Sequence, residues 1–250
     1  MMAPKQTTST TTRKAKPTAS PSPIKNSYLI AYNALSAALW AGVLYKTVAI
    51  GAHEVLTARK ASVLGFGKQN GLGGLEALGS GKVFDELESY TRLTQSLAGL
   101  EVLHSLVGVV RAPLFTTLMQ VASRFLLVWG IAYNFPQSTQ HSPAYATMLL
   151  AWSFTEVVRY SYFVFSLSGV GVPKLWTWLR YNTFMVLYPL GIASECWLVY
   201  SAIPLADKIR VEYGYGLWAI LAIYVPGSYI LFTHMLKQRR KIQRESRRTL

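Results

Sequence analysis

Residues 175–203 read LWTWLRYNTFMVLYPLGIASECWLVYSAI, a stretch long and apolar enough to be taken for a membrane helix. A bilayer core about 30 Å thick takes roughly 20 apolar residues of helix to cross. This run meets that length, yet near its centre it carries Pro189, Gly191 and the carboxylate Glu195, with Tyr188 seven residues before the carboxylate. A plain span has no use for any of these. A proline that removes a backbone donor, a residue without a side chain and two groups able to move protons point to chemistry inside a membrane.

The rest of the chain has the same character. Of its 250 residues, 51% are hydrophobic and 14% are charged, and the mean hydropathy is +0.25. A soluble domain carries about a quarter charged residues. The reading is an all-α polytopic membrane protein. The single cysteine, Cys196, excludes an intramolecular disulfide and cysteine-based zinc clusters. The formal net charge of +14 sits largely in the two tails. That distribution fits an anionic membrane surface and membrane topology, and no nucleic acid partner is expected.

Six transmembrane helices in one bundle are expected, at about 28–51, 93–110, 114–133, 144–167, 175–203 and 217–236. Residues 1–27 form a basic tail rich in Ser, Thr and Pro, expected to be disordered. It has no apolar h-region of a secretory signal, and an organellar transit peptide stays open. Residues 237–250 form a second basic tail, with seven Lys and Arg and one acid. An even number of spans puts both tails on one side, together with the short connections holding Arg111 and Lys174. The opposite loops are NFPQSTQHSP (134–143), uncharged, and LADKIRVEY (205–213), balanced. The positive-inside rule then places both termini in the cytosol.

Between the first two spans lies an insertion at about 52–92, on the non-cytosolic side. Its GFGKQNGLGGLEALGSGK (65–82) has the glycines of a phosphate loop but not the spacing. A P-loop needs G-x-x-x-x-G-K-[ST], and here Glu76 stands where the first glycine belongs and Val83 follows Lys82. A flexible glycine-rich loop is expected, followed by a short amphipathic helix over VFDELESYTRL (83–93).

Ionisable residues inside the spans carry the most information: Glu101, His104, Arg124, Glu156, Arg159, Arg180 and Glu195. Each charge near a helix centre costs about 3 kcal/mol on insertion scales, so such groups face the bundle interior, pair with one another and mark a site or pathway. Glu156, Arg159 and Tyr160 share one helix face, and so do Glu101, His104 and Ser105. Tyr181, Tyr188 and Glu195 recur every seven residues as a polar stripe. Structural ion pairs, Glu156 with Arg159 and Glu101 with Arg124, are one reading of the first two groups and a functional site is the other. Glu195 differs: no cation lies within one turn of it in sequence. Arg180, near a span end, is able to snorkel to the interface.

Two motifs lead nowhere. HSLVGVVR (104–111) has the H-C-x5-R spacing of cysteine phosphatases, with Ser105 in place of the nucleophilic thiolate. Serine does not ionise readily, so the activated nucleophile is missing. Cys196, beside Glu195 and without a histidine nearby, reads as an inert core thiol.

The chain resembles the very-long-chain (3R)-3-hydroxyacyl-CoA dehydratases of the endoplasmic reticulum, also called protein-tyrosine-phosphatase-like proteins. The resemblance covers about residues 28–243, leaving out much of the insertion. It rests on YNALSAALW, LEVLHSLVGVVRAPLFTTLMQVASR, LLAWSFTEVVRYSYF and LRYNTFMVLYPLGIASE, in that order. It implies an endoplasmic reticulum membrane enzyme that converts (3R)-3-hydroxyacyl-CoA to trans-2-enoyl-CoA and water. This is the third step of very-long-chain fatty acid elongation, run beside a condensing enzyme and two reductases, without metal or redox cofactor. The family's catalytic tyrosine and glutamate, in YP-x-G-x-x-x-E, fall on Tyr188 and Glu195.

Dehydration removes a proton alpha to the thioester and protonates the departing hydroxyl, work for two acid/base groups. A seven-residue helical spacing sets Tyr188 and Glu195 about 10 Å apart along the axis, so their side chains converge or the helix distorts at Pro189. Glu195 as base with Tyr188 as acid is one assignment. The reverse is the other, with a tyrosinate stabilised by a cation such as Arg159 or Arg180. Arg111, Lys174, Arg180 and the basic tail are candidates for the CoA phosphates. Glu156, Arg159, Tyr160 and Tyr181 are candidates to line or support the same cavity. Two other function classes stay open: a non-catalytic scaffold of a lipid-synthesis complex, and a small transporter using the intramembrane charges.

Overall fold

The computed structural model describes residues 23–63, 73–110 and 114–248, and every element among them is a helix. Residues 1–22, 64–72, 111–113 and 249–250 lie outside the described residues. The expectations for residues 1–22 of the N-terminal tail, the first glycines of the insertion and Arg111 fall there, whereas residues 23–27, expected to be part of the disordered tail, are the first turn of α1. In chain order the helices are α1 (Pro23–Val63), α2 (Gly73–Leu78), α3 (Lys82–Ser96), α4 (Gly99–Leu106) and α5 (Leu114–Phe125), which runs on as π-helical turns over Leu126–Tyr133. Then come α6 (Pro136–Thr139), α7 (Pro143–Ser168), α8 (Lys174–Asn182), α9 (Phe184–Ile209) and α10 (Val211–Arg248).

Local chemistry sets these boundaries. Pro143 opens α7 at a position where the missing N–H costs nothing. Gly169, with φ 77°, closes it in the left-handed region. The stretch at 175–203 is divided: α8 and α9 meet at Thr183, whose hydroxyl donates back to the Leu179 carbonyl at 2.7 Å. Such a bond competes with the helix ladder and loosens it locally. The joint thus lies at Thr183, and α9 continues through Pro189 and Pro204. α10 likewise continues through Pro226.

The expected second span, 93–110, is also divided. α3 begins earlier, at Lys82, and a turn at residues 97 and 98 separates it from α4. The run HSLVGVVR therefore ends a helix: Gly108 takes φ 71° just after α4. Much of the expected insertion is helical among the described residues, since α1 extends to Val63 and α2 and α3 follow. Gly79 and Gly81 sit between α2 and α3 against His141. A side chain at Gly79 would meet the His141 carbonyl at 2.7 Å, and Gly81 holds φ 95°.

Among the described residues, four helices are long and apolar enough to cross a membrane: Pro23–Val63, Leu114–Tyr133, Phe184–Ile209 and Val211–Arg244. α7, the expected fourth span, is not among them. It has 26 residues but carries Glu156 and Arg159 in its middle, both within the bundle. α7 is the central rod, packed on α1 along one side and on α9 along another, with α10 covering α9. Trp40 and Val43 of α1, Met148, Leu149 and Trp152 of α7, and Leu198 and Val199 of α9 form its core. The outer faces are apolar too: Phe115, Val186, Trp197 and Tyr229 are exposed, whereas Asn33, Thr47, Glu156 and Glu195 are buried. A bilayer covers a surface of that kind.

Contacts gather at two ends of the bundle. At one end Asn26 donates to the Leu167 carbonyl (3.0 Å), Tyr28 meets His104 (2.8 Å) and Arg239 donates to Asn182 (3.0 Å). At the other, Lys82 pairs with Glu54 and Gln140 donates to Asp85, both at 2.7 Å.

Candidate active site

Along α9 the buried positions Gly191, Ser194, Glu195, Leu198, Val199 and Ala202 repeat every three to four residues, the signature of one packed face. That pattern turns Glu195 inward while Trp197 and Tyr200 face out. Two neutral donors from two other helices meet its carboxylate. Trp152 Nε1 of α7 donates to Oε1 at 2.8 Å, and the Tyr224 hydroxyl of α10 donates to Oε2 at 2.9 Å. One turn earlier, a side chain at Gly191 would sit 3.6 Å from Ala151 Cβ and 3.9 Å from Glu195 Oε1. These are ordinary van der Waals distances, so a small side chain would fit there without moving α7 or the carboxylate.

Tyr188 lies two turns before Glu195 and is half-buried. Its hydroxyl donates to the Ser228 carbonyl oxygen at 3.2 Å. Its ring stacks on Phe232, with centroids 5.8 Å apart and planes 22° apart. Tyr188 and Glu195 therefore do not bond to each other; both are tied to α10, through Tyr224, Ser228 and Phe232, at intervals of four residues along one face.

A second polar cluster sits between α4, α5 and α7. Arg159 grips Glu101 with both guanidinium nitrogens, Nη1 to Oε2 at 2.9 Å and Nη2 to Oε1 at 2.8 Å. Its Nε donates to Glu156 Oε2 at 2.7 Å. Arg124 donates to the other oxygen of Glu156, and the Tyr160 hydroxyl donates to Glu101. Glu156 thus pairs with Arg159, whereas Glu101 and Arg124 take other partners than each other. Glu101, in α4, meets the arginine of α7; Arg124, in α5, meets the glutamate of α7. α4 and α5 do touch one another, yet the charged group of each pairs with α7 rather than with the other. Tyr160 belongs to this cluster and not to the surroundings of Glu195.

Trp152 connects the two regions. The Arg124 guanidinium carbon lies 5.0 Å from the centre of its ring, while its N–H reaches Glu195. Arg180 stacks over Tyr162 and Phe163, at 4.5 and 5.1 Å, and lies 5.9 Å from the Tyr181 ring. It stands with Tyr181 on α8, on the far side of the Thr183 joint from Tyr188. Lys174 opens α8 and is exposed. Trp152 and Tyr224 were not singled out in the sequence, where aromatic residues in apolar runs read as core or interface anchors. The one available signal was the repetition of YP at 188–189 as YVP at 224–226.

Among known proteins, the family described as protein tyrosine phosphatase-like protein, PTPLA, matches residues 95–245. The chain is 41% identical over 228 residues to the Schizosaccharomyces pombe protein named "Probable very-long-chain (3R)-3-hydroxyacyl-CoA dehydratase", covering 89% of this chain and 96% of that one. It is 35% identical to the Arabidopsis thaliana very-long-chain (3R)-3-hydroxyacyl-CoA dehydratase PASTICCINO 2, covering 90% and 96%. It is 34% identical to the Caenorhabditis elegans very-long-chain (3R)-3-hydroxyacyl-CoA dehydratase hpo-8, covering 86% and 94%. No solved structure matches the chain. On these matches, the chain belongs to the PTPLA family.

Proposed function

We propose that this chain dehydrates long-chain (3R)-3-hydroxyacyl-CoA to trans-2-enoyl-CoA in the third step of the elongation cycle. Glu195 and Tyr188 are the acid–base pair. The observation that carries the reading is the setting of Glu195: a carboxylate buried at the middle of an apolar helix, met by two neutral donors and, among the described residues, bonded to no cation. The names of the relatives supply the substrate class.

The Trp152 N–H is able only to donate, so Oε1 is an acceptor, and Tyr224 points its hydroxyl at Oε2. With both oxygens accepting, Glu195 is the group set up to take the proton from the carbon alpha to the thioester. Tyr188 gives its hydroxyl proton to the departing 3-hydroxyl, which leaves as water. Return of the proton from Glu195 to the tyrosinate closes the cycle. For this step the Tyr188 hydroxyl exchanges the Ser228 carbonyl for substrate. Since α9 runs unbroken through Pro189, convergence across the two turns falls to the side chains and to the bound substrate.

The surrounding assignments follow from the same reading. The protein sits in the endoplasmic reticulum membrane with both tails in the cytosol, beside the condensing enzyme and the reductases of the cycle. Six crossings are supported by the contacts at the two bundle ends. The α3–α4 stretch leads from Lys82 beside Glu54 to His104 beside Tyr28, and α7 leads from the Gln140 end to the Asn26 end. A glycosylation acceptor sequence inserted at 64–72 is modified on this topology, and one added to either terminus is not. Lys174, Arg180 and Arg111 contact the CoA phosphates, with Tyr181 near the acyl entrance. Glu101, Arg124, Glu156, Arg159 and Tyr160 hold the bundle around the site.

The test is turnover by the purified, detergent-solubilised full chain on (3R)-3-hydroxyacyl-CoA of several chain lengths, with the enoyl product identified by mass. Formation of trans-2-enoyl-CoA is the expected result. A folded chain inactive on every length contradicts the reading and leaves a scaffold or a transporter.

A further inference from the structure

We propose that Tyr224 is a positioning residue for the reaction, fixing Oε2 of Glu195 while Trp152 fixes Oε1. The inference rests on Glu195 being one of the acid–base pair.

α10 carries four tyrosines, and three of them, Tyr213, Tyr215 and Tyr229, are 52%, 70% and 71% exposed. Tyr224 is the one turned into the bundle, with its hydroxyl 2.9 Å from Glu195 Oε2. It shares its helix face with Ser228 and Phe232, which hold the hydroxyl and the ring of Tyr188. One face of α10 therefore contacts both members of the pair, and Tyr224 is its contact with Glu195.

A glutamate side chain has three torsions, and a single donor leaves its carboxylate free to turn about that bond. Donors on two separate helices, one to each oxygen, remove that freedom. Abstraction of an alpha proton depends on the approach of one carboxylate oxygen along a defined line, so the restraint acts on the transition state more than on substrate binding. A phenol suits the task. Its ring is rigid, it adds no charge that would tie up the base, and its hydroxyl is able to accept as well as donate. The bond therefore survives, reversed, after Glu195 has taken the proton.

The experiment compares Tyr224→Phe, Glu195→Gln and Tyr229→Phe with wild type, in the full chain in detergent. It uses a long-chain (3R)-3-hydroxyacyl-CoA and reads kcat and KM per folded molecule beside the melting temperature. The expected result for Tyr224→Phe is a fall in kcat of roughly 10- to 100-fold, the range for losing one hydrogen bond to an ionised group. KM should change by less than about twofold, with Tyr229→Phe at wild-type activity and Glu195→Gln inactive. A wild-type kcat for Tyr224→Phe overturns the proposal, as does a lower melting temperature with kcat per folded molecule unchanged. A rise in KM as large as the fall in kcat/KM also overturns it, by making Tyr224 a substrate contact. Turnover that survives Glu195→Gln is a different failure, that of the acid–base reading itself.

Discussion

Glu195 and Glu156 lie on neighbouring helices and are almost equally buried, at 7% and 2% exposure, yet they are kept in opposite company. Glu156 sits between two guanidinium groups, those of Arg124 and Arg159. Among the described residues, Glu195 is met by an indole N–H and a phenol O–H. A buried carboxylate between arginines is fixed in its charge and serves to join helices; removing one partner leaves an uncompensated charge. A carboxylate held by neutral donors is oriented without being neutralised, and it keeps its capacity to exchange a proton. Trp152 separates the two environments, with Arg124 over its ring and Glu195 at its N–H. Within one apolar bundle the same side chain is thus put to structural use in one place and, on our proposal, to chemical use in the other.

This contrast is open to attack by substitution. Glu195→Gln keeps the shape of the side chain and removes the base, and a loss of turnover of roughly 10³-fold or more is expected with the fold intact. Tyr188→Phe removes one hydroxyl whose bond in the resting structure is to the Ser228 carbonyl. Its expected cost is roughly 10²-fold in kcat, read from steady-state turnover. Glu156→Gln leaves Arg124 without a carboxylate. The expected result is about 3 kcal/mol of lost stability in a denaturation series, with turnover per folded molecule within about fivefold of wild type. Lys174→Ala, at an exposed helix start, should do least: a rise in KM of about two- to fivefold that shrinks as salt is added. A large kcat defect in Glu156→Gln would erase the division between the two regions, and an unchanged Tyr188→Phe would remove half of the proposed pair.

How far each region was legible in sequence follows from how local its contacts are. Glu156 with Arg159 is a same-face spacing, and the structure has that bond. Tyr188, Pro189, Gly191 and Glu195 stood out because an apolar span makes polar residues conspicuous. The partners of Glu101 and Arg124 were out of reach, since α4 and α5 are neighbours in space as well as in sequence and only side-chain direction sends both charges to α7. Trp152 and Tyr224 contact Glu195 across 43 and 29 residues. A Trp or Tyr in an apolar run carries no mark of which neighbour its polar atom will meet. The joint at Thr183 was hidden behind two prolines that signal breaks more strongly, yet α9 continues through both. Four of the six expected spans reappear as helices long and apolar enough to cross a membrane. α7 falls short of that apolar standard while carrying the cluster that ties the bundle together.

The most direct measurement is turnover of a long-chain (3R)-3-hydroxyacyl-CoA by Glu195→Gln and Glu156→Gln side by side, each normalised to folded protein. The account predicts an inactive, well-folded Glu195→Gln and an active, less stable Glu156→Gln. An active Glu195→Gln beside a well-folded, inactive Glu156→Gln would contradict it and move the chemistry to the arginine-bound cluster.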